Sequence, residues 1–224
     1  MTTTTRFQPT LSGAQHRFAV LFSICAFSLV WCEPASAVIL SFENITGNSV
    51  QSAADGESQL FVEALDVAGD ASFRFFNIGP ANSNLAEIYF DDGSLLGIST
   101  ISEIPPVDFE LEASPPNLPG SNNISPAFQV TAGFLAQAVD PAPKNGVGPG
   151  EEVTIIFDLK SSQTFQDVLD ELTDGRLRIG VHVIGFSNGQ SESFVNTAIP
   201  EPAAMSLLLL GVAGALARAR WRAI

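Results

Sequence analysis

Two hydrophobic runs, one near each end, limit what this 224-residue chain can fold into. Residues 18–31 form an apolar run of 14 residues behind Arg6 and Arg17, and residues 203–217 form one of 15. Both runs are short of the ~20 residues with which a helix comfortably crosses a bilayer. We therefore expect one soluble domain between two segments that do not belong to its core.

The N-terminal run has the composition of an export signal. Ala35 and Ala37 supply the small side chains that signal peptidase requires, so residues 1–37 are predicted to be a signal peptide cleaved after Ala37. A lipoprotein signal is the alternative, because Cys32 follows the apolar run. Trp31 is a poor fit to that alternative, since a lipobox requires a small side chain at this point.

Both cysteines of the chain, Cys25 and Cys32, lie in the segment that this cleavage removes. The mature protein would therefore contain no disulfide, no cysteine-ligated metal and no thiol nucleophile. Residues 38–198, about 160 in number, are enough for one domain with a sizeable core. We expect that core alone to hold the domain together.

The C-terminal run is flanked by a turn motif and by basic residues. The flanks are Pro200, Glu201 and Pro202 before the run, and Arg218, Arg220 and Arg222 after it. The positive-inside rule places these arginines in the cytoplasm, so the run is predicted to be a single transmembrane helix. The alternative is a buried C-terminal helix, which the three arginines and the lack of acidic residues in the last 23 positions disfavour.

Residues 199–224 resemble the PEP-CTERM sorting signal of Gram-negative bacteria, because motif, apolar helix and basic end occur together at the C-terminus. In that family a membrane protease-transpeptidase, an exosortase, cuts near the Pro-Glu-Pro motif. The resemblance implies a protein that is transiently anchored in the inner membrane and delivered to the cell surface or extracellular matrix. It also implies signal peptidase and exosortase as processing partners, with extracellular polysaccharide as a further candidate partner.

Alternation of apolar and polar residues predicts an all-β domain between the two sorting segments. The predicted strands are residues 38–43, 59–67, 72–77, 85–90, 95–101, 107–111, 152–159, 176–186 and 193–196. Turn chemistry at residues 68–70 and 91–94 predicts two β-hairpins. The fold class indicated is an antiparallel β-sandwich, jelly-roll-like or related.

One short helix and two long loops are predicted in addition. The apolar stripe of the helix comprises Phe165, Val168, Leu169 and Leu172. Thr164 and Asp167 form a capping box at its start, and Gly175 suits a left-handed residue after its end. Residues 113–127 and 140–150, rich in Pro, Gly and Asn, are predicted to be loops that are either functional or merely mobile.

The residue types that carry enzyme chemistry are scarce in this domain. His182 is its only histidine, and we expect it to face solvent or pack against a partner rather than act as a general base. Adjacent carboxylates at Asp91 and Asp92 cannot face each other across a cleft as a glycosidase requires. No catalytic residue and no enzyme activity are predicted.

The domain is strongly acidic, with 22 acidic against 5 basic residues in positions 38–200, a net charge of −17. This charge opposes binding to nucleic acid or anionic lipid. A cluster of Asp108, Glu110 and Glu112 would share one face of a strand, so that face must be solvated or neutralised by a cation. No cofactor or metal is predicted, and Ca²⁺ is the alternative, since it takes oxygen ligands.

These observations predict an exported, non-catalytic protein of the cell surface or extracellular matrix. A carbohydrate- or calcium-binding module of the matrix is the alternative, and a polysaccharide-acting enzyme is less favoured. Sugar sites usually stack a ring on tryptophan or tyrosine. Trp31 and Trp221 lie in the sorting segments and Tyr89 is the only tyrosine, which disfavours a lectin.

Overall fold

The computed structural model describes residues 37–91, 93–112, 117–131 and 133–197. Its elements in chain order are β1 (Ala37–Asn44), α1 (Val50–Gln59), β2 (Leu60–Val67), β3 (Asp70–Asn77), β4 (Asn84–Phe90), β5 (Leu95–Glu103), β6 (Phe109–Glu112), a 3₁₀ turn (Ser121–Asn123), β7 (Leu135–Ala138), α2 (Ala142–Asn145), β8 (Glu152–Leu159), α3 (Phe165–Asp174), β9 (Ile179–Ile184) and β10 (Glu192–Asn196). Within these ranges no helix is long and apolar enough to cross a membrane. The predicted transmembrane helix and the signal peptide before Ala37 lie outside the described residues.

The strands form one antiparallel sheet in the order β5-β8-β3-β2-β1-β10-β9-β4-β7-β6, which confirms the prediction of a mostly antiparallel β protein. Strand β1 joins the two halves of this sheet, which are defined below, because it pairs with one strand of each. Its residues 37–41 pair with β2, and its residues 42–44 pair with β10. We call β5, β8, β3 and β2 the first half, and β10, β9, β4, β7 and β6 the second half.

A phenylalanine-rich core joins the two halves. Phe73 and Phe157 of the first half surround Phe90 of the second, with ring centroids 5.3 and 4.6 Å from that of Phe90. All three side chains are fully buried. Burial of each such side chain stabilises the fold by about 1.5–3 kcal/mol, and close ring pairs add to this. The described residues contain no cysteine, so no disulfide adds to this apolar burial among them.

The hairpin predicted at residues 68–70 is confirmed, because β2 and β3 pair over their whole length. Ala68 and Gly69 occupy the tight turn with φ of 58° and 96°. Positive φ at both central positions matches the turn twist to the right-handed twist of the strands. The local turn signal was sufficient here because the two strands that it joins are also neighbours in the sheet.

The hairpin predicted at residues 91–94 is wrong, because β4 pairs with β7 and β9 whereas β5 pairs with β8. The chain does turn there, with Gly93 at a φ of 41°. The turn is held by other elements: the Glu171 carboxylate of α3 accepts from the Ser94 N–H at 2.5 Å, and Lys160 Nζ donates to the Gly93 carbonyl at 2.7 Å. Turn residues determine where a chain bends, whereas pairing depends on which strands meet in space.

The predicted helix is confirmed as α3, with its caps. The Asp167 N–H donates to Thr164 Oγ1 at 3.4 Å, and the Thr164 N–H donates to the Asp167 carboxylate at 2.7 Å. Gly175 follows the helix at a φ of 76°. The apolar stripe packs inward, with Phe165 and Leu172 buried. Residues 165–174 thus cover the core through one face, as helical periodicity predicts.

The number of helices was predicted wrongly, since α1 and α2 are also present. Helix α1 escapes periodicity analysis because its buried residues are Ser52, Gly56 and Gln59 rather than an apolar stripe. A Cβ at Gly56 would lie 2.2 Å from the Phe194 ring, so glycine permits α1 to approach β10 closely. Ser49 is the N-cap of the helix, and its hydroxyl accepts from the Ser52 N–H at 3.3 Å.

Both predicted loops contain structure. In the first, Leu118 is buried, and Phe128 just beyond it is buried with it, on the outer face of the second half of the sheet. The second loop contains α2. Asp108 and Glu110 are exposed, as expected for a solvated strand edge.

Candidate functional site

Two parallel rows of side chains cross the outer face of the second half of the sheet. One row is apolar or small and is covered by the segment 117–131; it contains Val195, Gly180, Tyr89 and Leu135. The other row is polar and runs across five neighbouring strands; it contains Ser193, His182, Glu87, Gln137 and Glu110. Directly opposite residues of an antiparallel sheet share a face, so we call this second set the polar row.

A β-bulge directs Glu87 into the polar row. Leu85 and Ile88 are both buried in the core although they are three positions apart, which strict alternation along a strand does not allow. The register between β4 and β9 shifts between Leu85 and Glu87, and Ala86 is the extra residue. The bulge thus lets β4 keep both apolar anchors while Glu87 faces outward.

A cavity of about 450 Å³ lies over the polar row. This volume is within the range of about 300–1,000 Å³ that is usual for small-molecule sites. Residues Ala142 of α2 and Ile184 of β9 contribute to its walls. The full lining is Ala86, Glu87, Glu110, Gln137, Ala138, Val139, Asp140, Ala142, His182 and Ile184. We call this cavity the sheet pocket.

Glu87 is held in place by two neighbours. Its Oε2 lies 2.9 Å from His182 Nδ1 and accepts the Tyr89 hydroxyl hydrogen at 2.7 Å. The hydrogen bond with His182 is the main cause that lowers the pKa of Glu87; burial opposes it, and the Tyr89 hydroxyl adds to it. Burial and the neighbouring carboxylate raise the pKa of Tyr89 far above its ordinary value, so this phenol remains a donor.

The structure places the residues singled out by sequence in different environments. His182 lies on the outer face with 19% of its side chain exposed, and its Nδ1 lies 2.9 Å from the Glu87 carboxylate. Glu110 lines the sheet pocket, whereas Asp91 lies outside it and pairs with Arg178 at 2.9 Å. Ala37 is the first residue of β1.

The other predicted site residues lie outside the described residues, and their roles remain predictions. They are Ala35 of the signal cleavage site, Pro200, Glu201 and Pro202 of the sorting motif, and Arg218, Arg220 and Arg222 of the basic end.

The polar row contains serine, histidine and glutamate, but these do not form a nucleophile-base pair. Ser193 lies opposite His182 across β9 and β10. Its hydroxyl is buried and has no hydrogen-bond partner among the described residues. An acyl-transfer mechanism requires a reachable hydroxyl within hydrogen-bonding distance of the imidazole, and Ser193 meets neither condition.

The carboxylates of the sheet pocket are spread out rather than convergent. Glu87 and Glu110 flank Gln137 on either side, so their Cα atoms are about 10 Å apart at the usual strand spacing. Over the part of the chain that the structure describes, no group of three or more histidine, cysteine, aspartate or glutamate side chains is arranged to hold a metal ion.

A second cavity, of about 380 Å³, lies beside α2 and is lined mainly by turn residues, with Lys144 and Glu151 among them. Two of its polar contacts hold the backbone of the loop: Asn84 Nδ2 donates to the Pro143 carbonyl at 3.1 Å, and the Gly148 N–H donates to Glu151 at 2.8 Å. Asn84 Oδ1 is buried and has no hydrogen-bond partner among the described residues. The sheet pocket is larger and is lined by an amide, an imidazole and three carboxylates, so we take it as the candidate functional site.

Sequence reasoning missed Glu87 and Gln137. Glu87 is the single charged residue of the seven-residue strand β4, and Gln137 is the single polar residue of the four-residue strand β7. An isolated polar residue in an apolar strand is a usable signal for an outward-facing position. It does not reveal that β4 and β7 are neighbours, and the site exists only through that pairing.

Comparisons with protein-family models, curated proteins and solved structures found no match to this chain. Its function therefore has to be argued from the site and from the features of the sequence.

Proposed function

We propose that this chain is an exported, non-catalytic protein of the cell surface or polysaccharide matrix of a Gram-negative bacterium, and that its sheet pocket binds carbohydrate. The observation that carries the binding proposal is the polar row, which presents an amide, an imidazole and carboxylates along an open cavity. Side chains on neighbouring strands are held at fixed spacing, and such spacing suits recognition of hydroxyl groups. We also infer that the two halves of the sheet form a jelly-roll-like sandwich.

The lining of the sheet pocket suits a sugar bound without aromatic stacking. Tyr89 is fully buried and orients Glu87, so it is not available to a ligand. Ala86, Ala142 and Ile184 supply apolar surface for the C–H groups of a ring. Gln137 and the carboxylates supply acceptors for hydroxyl hydrogens, and the Gln137 amide also supplies donors.

The proposal that the protein is exported and sorted to the cell surface rests on the sequence at the two ends of the chain. A cut after Ala37 would remove one residue of β1 and leave Val38 paired with Ala64 of β2. The sheet therefore tolerates the predicted cleavage site. Residues 199–224 follow the last described strand and carry the motif, apolar run and arginines that resemble an exosortase substrate.

Mass spectrometry of the protein isolated from the cell envelope or culture medium is expected to find Val38 at or near the N-terminus. It is expected to find no peptide beyond the Pro200-Glu201-Pro202 region. Deleting residues 203–224 should leave export intact and change the final location, because only the stop-transfer segment is lost. An intact chain retained in the cytoplasm would contradict the sorting proposal.

The proposal that the sheet pocket binds carbohydrate predicts that the purified protein is retained by polysaccharide prepared from its source cells. Gln137→Ala is expected to weaken retention about tenfold, since it removes hydrogen bonds to a bound sugar. Asp158→Asn is the control, because Asp158 is exposed on β8 in the first half of the sheet. Equal retention of the wild type and the Gln137 variant would contradict binding at the sheet pocket.

A further inference from the structure

We propose that the sheet pocket selects a sugar unit that carries a protonated primary amine, a hexosamine without its N-acetyl group. This inference rests on the carbohydrate-binding function proposed above and specifies its ligand. Three observations support it: the charge of the residues that line the pocket, the ion-pair partners that these residues have, and the spacing of Glu87 and Glu110 along the polar row.

The lining of the sheet pocket is acidic. It contains three carboxylates, Glu87, Glu110 and Asp140, and no lysine or arginine. His182 is the only lining residue that can become cationic. Lys144, on α2, lines the second cavity instead. A concave site with one sign of charge concentrates ligands of the opposite sign, so the pocket repels uronic acids and sulfated or phosphorylated sugars.

Two of the three carboxylates have no cationic partner within the described ranges. The Glu87 carboxylate is already engaged by His182 and Tyr89. Glu110 and Asp140 make no ion pair with any residue that the structure describes. Glu110 lies on the edge strand β6, at the rim of the sheet pocket. These two side chains are therefore the ones that a bound ammonium group would meet.

The spacing of the carboxylates favours an ammonium-bearing sugar over a metal ion. A Ca²⁺ ion needs six to eight oxygen ligands converging at about 2.3–2.6 Å, whereas Glu87 and Glu110 are separated by Gln137. An ammonium group needs only two or three acceptors. Gln137 and the second carboxylate oxygen of Glu87 then remain as hydrogen-bond partners for the hydroxyl groups of the same ring.

The deciding experiment compares oligomers that differ only in the N-acetyl group. Isothermal titration of the protein purified from its source cells would use glucosamine oligomers, N-acetylglucosamine oligomers and oligogalacturonate, at a pH at which the amine is protonated. The expected order is glucosamine first, at least about tenfold tighter than the N-acetylated oligomer, because a carboxylate-ammonium contact is lost on acetylation. Oligogalacturonate is expected not to bind.

Two variants connect this preference to the pocket. Glu110→Gln is expected to reduce glucosamine affinity about tenfold and to lower N-acetylglucosamine affinity far less, because the amide keeps an acceptor oxygen for a hydroxyl group and only the charge is removed. Asp158→Asn makes the same chemical change outside the pocket and is expected to leave both affinities unchanged. Glu110 is exposed on an edge strand, so its variant should melt at the wild-type temperature.

Each remaining outcome contradicts a defined part of the inference. Equal binding of both oligomers overturns the amine preference and leaves carbohydrate binding in place, whereas failure of every saccharide to bind overturns both. An equal loss of glucosamine affinity in the Asp158 variant would assign the effect to the general negative charge of the domain and contradict a site at Glu110. Oligolysine tests the alternative of a basic protein segment as the ligand. If it bound as tightly as glucosamine oligomers, and if the Glu110 variant lost affinity for both equally, the inference would be overturned.

Discussion

Replacing Arg178 with methionine is expected to lower the free energy of unfolding by about 3–5 kcal/mol, the usual cost of removing one partner of a mostly buried ion pair. The guanidinium Nε donates to Asp91 at 2.9 Å. Its two terminal nitrogens donate to the carbonyls of Pro126 and Ala127 at 2.8 and 3.0 Å. The guanidinium carbon also lies 5.2 Å from the centroid of the Phe128 ring. One side chain thus joins the end of β4, the start of β9 and the covering segment 117–131.

The size of this effect follows from the geometry of the guanidinium. Only 16% of the Arg178 side chain and 15% of the Asp91 side chain are exposed, so water replaces the lost contacts poorly. Arg178→Lys is expected to recover only part of the loss, because an ammonium group cannot reproduce the planar set of donors. Urea denaturation followed by circular dichroism measures both variants.

Arg176 is the matched control, two positions earlier in the same segment. Its side chain is 61% exposed and pairs with Asp174 and Glu171. The pair with Asp174 is exposed and contributes little, and the buried Glu171 still accepts from the Ser94 N–H when Arg176 is removed. Arg176→Met is therefore expected to shift the urea midpoint less than Arg178→Met. Equal shifts in the two variants would show that Arg178 contributes only charge at the surface.

Replacing Glu192 with glutamine is expected to lower the free energy of unfolding by about 3 kcal/mol. The carboxylate is fully buried and accepts from Thr46 Oγ1 at 2.5 Å and from Asn44 Nδ2 at 3.1 Å. It also accepts from the backbone N–H groups of Asn48 and Ser49, at 3.1 and 2.5 Å. An amide would point its NH₂ group at one of these donor sets, and each buried donor left unpaired costs about 1–3 kcal/mol.

The same carboxylate makes stability depend on pH. Burial by itself would raise the pKa of Glu192, but the hydrogen bonds from Thr46, Asn44, Asn48 and Ser49 outweigh burial and lower it below the ordinary 4.5. A carboxyl group with a lowered pKa in the folded state contributes stability above its unfolded pKa. That contribution is lost as the pH falls below about 4.5 towards the folded value.

Melting temperatures across this acid range measure the effect. The difference between wild type and Glu192→Gln is expected to be largest near neutral pH and to shrink below about pH 4.5. Glu43→Gln is the control, since Glu43 is exposed on the neighbouring strand β1. A constant difference between wild type and the Glu192 variant down to the lowest pH would contradict a native carboxylate at this position.

The two anchors, at Arg178 and Glu192, each hold an irregular segment of the chain against the sheet. Arg178 holds the segment 117–131 over the apolar row, and Glu192 holds residues 44–49 at the start of α1. Neither segment contributes a residue to the lining of the sheet pocket.

Several elements were predictable because their signals are local. The capping box of Thr164 and Asp167 and the glycine at position 175 involve groups within one or two turns of α3. The hairpin at Ala68 and Gly69 likewise joins strands that are adjacent in both sequence and sheet. The alternation of residues 152–159 matches β8 at both ends. In each case the residues that determine the structure lie within about ten positions of one another.

Other elements were missed because their stabilising contacts are remote in sequence. Helix α1 is buried through Ser52, Gly56 and Gln59, and Gly56 is required only because Phe194 lies against it. Strand β7 is four residues long and owes its place to β4 and β6 on either side. The predicted hairpin at residues 91–94 failed because β5 finds its partner in β8. None of these pairings leaves a local trace in the sequence.

The β character of the domain, its acidic charge, its lack of cysteine and the prediction of sorting segments at both ends could all be read from the amino-acid sequence, because each depends on composition or short-range pattern. The strand order could not be read there and is known from the folded sheet. That order brings His182, Glu87, Gln137 and Glu110 into one row, although the chain separates the first two of these by 95 positions. Hydrogen-bonded pairing between strands acts across space, so a binding site built from such pairs becomes visible only when the sheet is assembled.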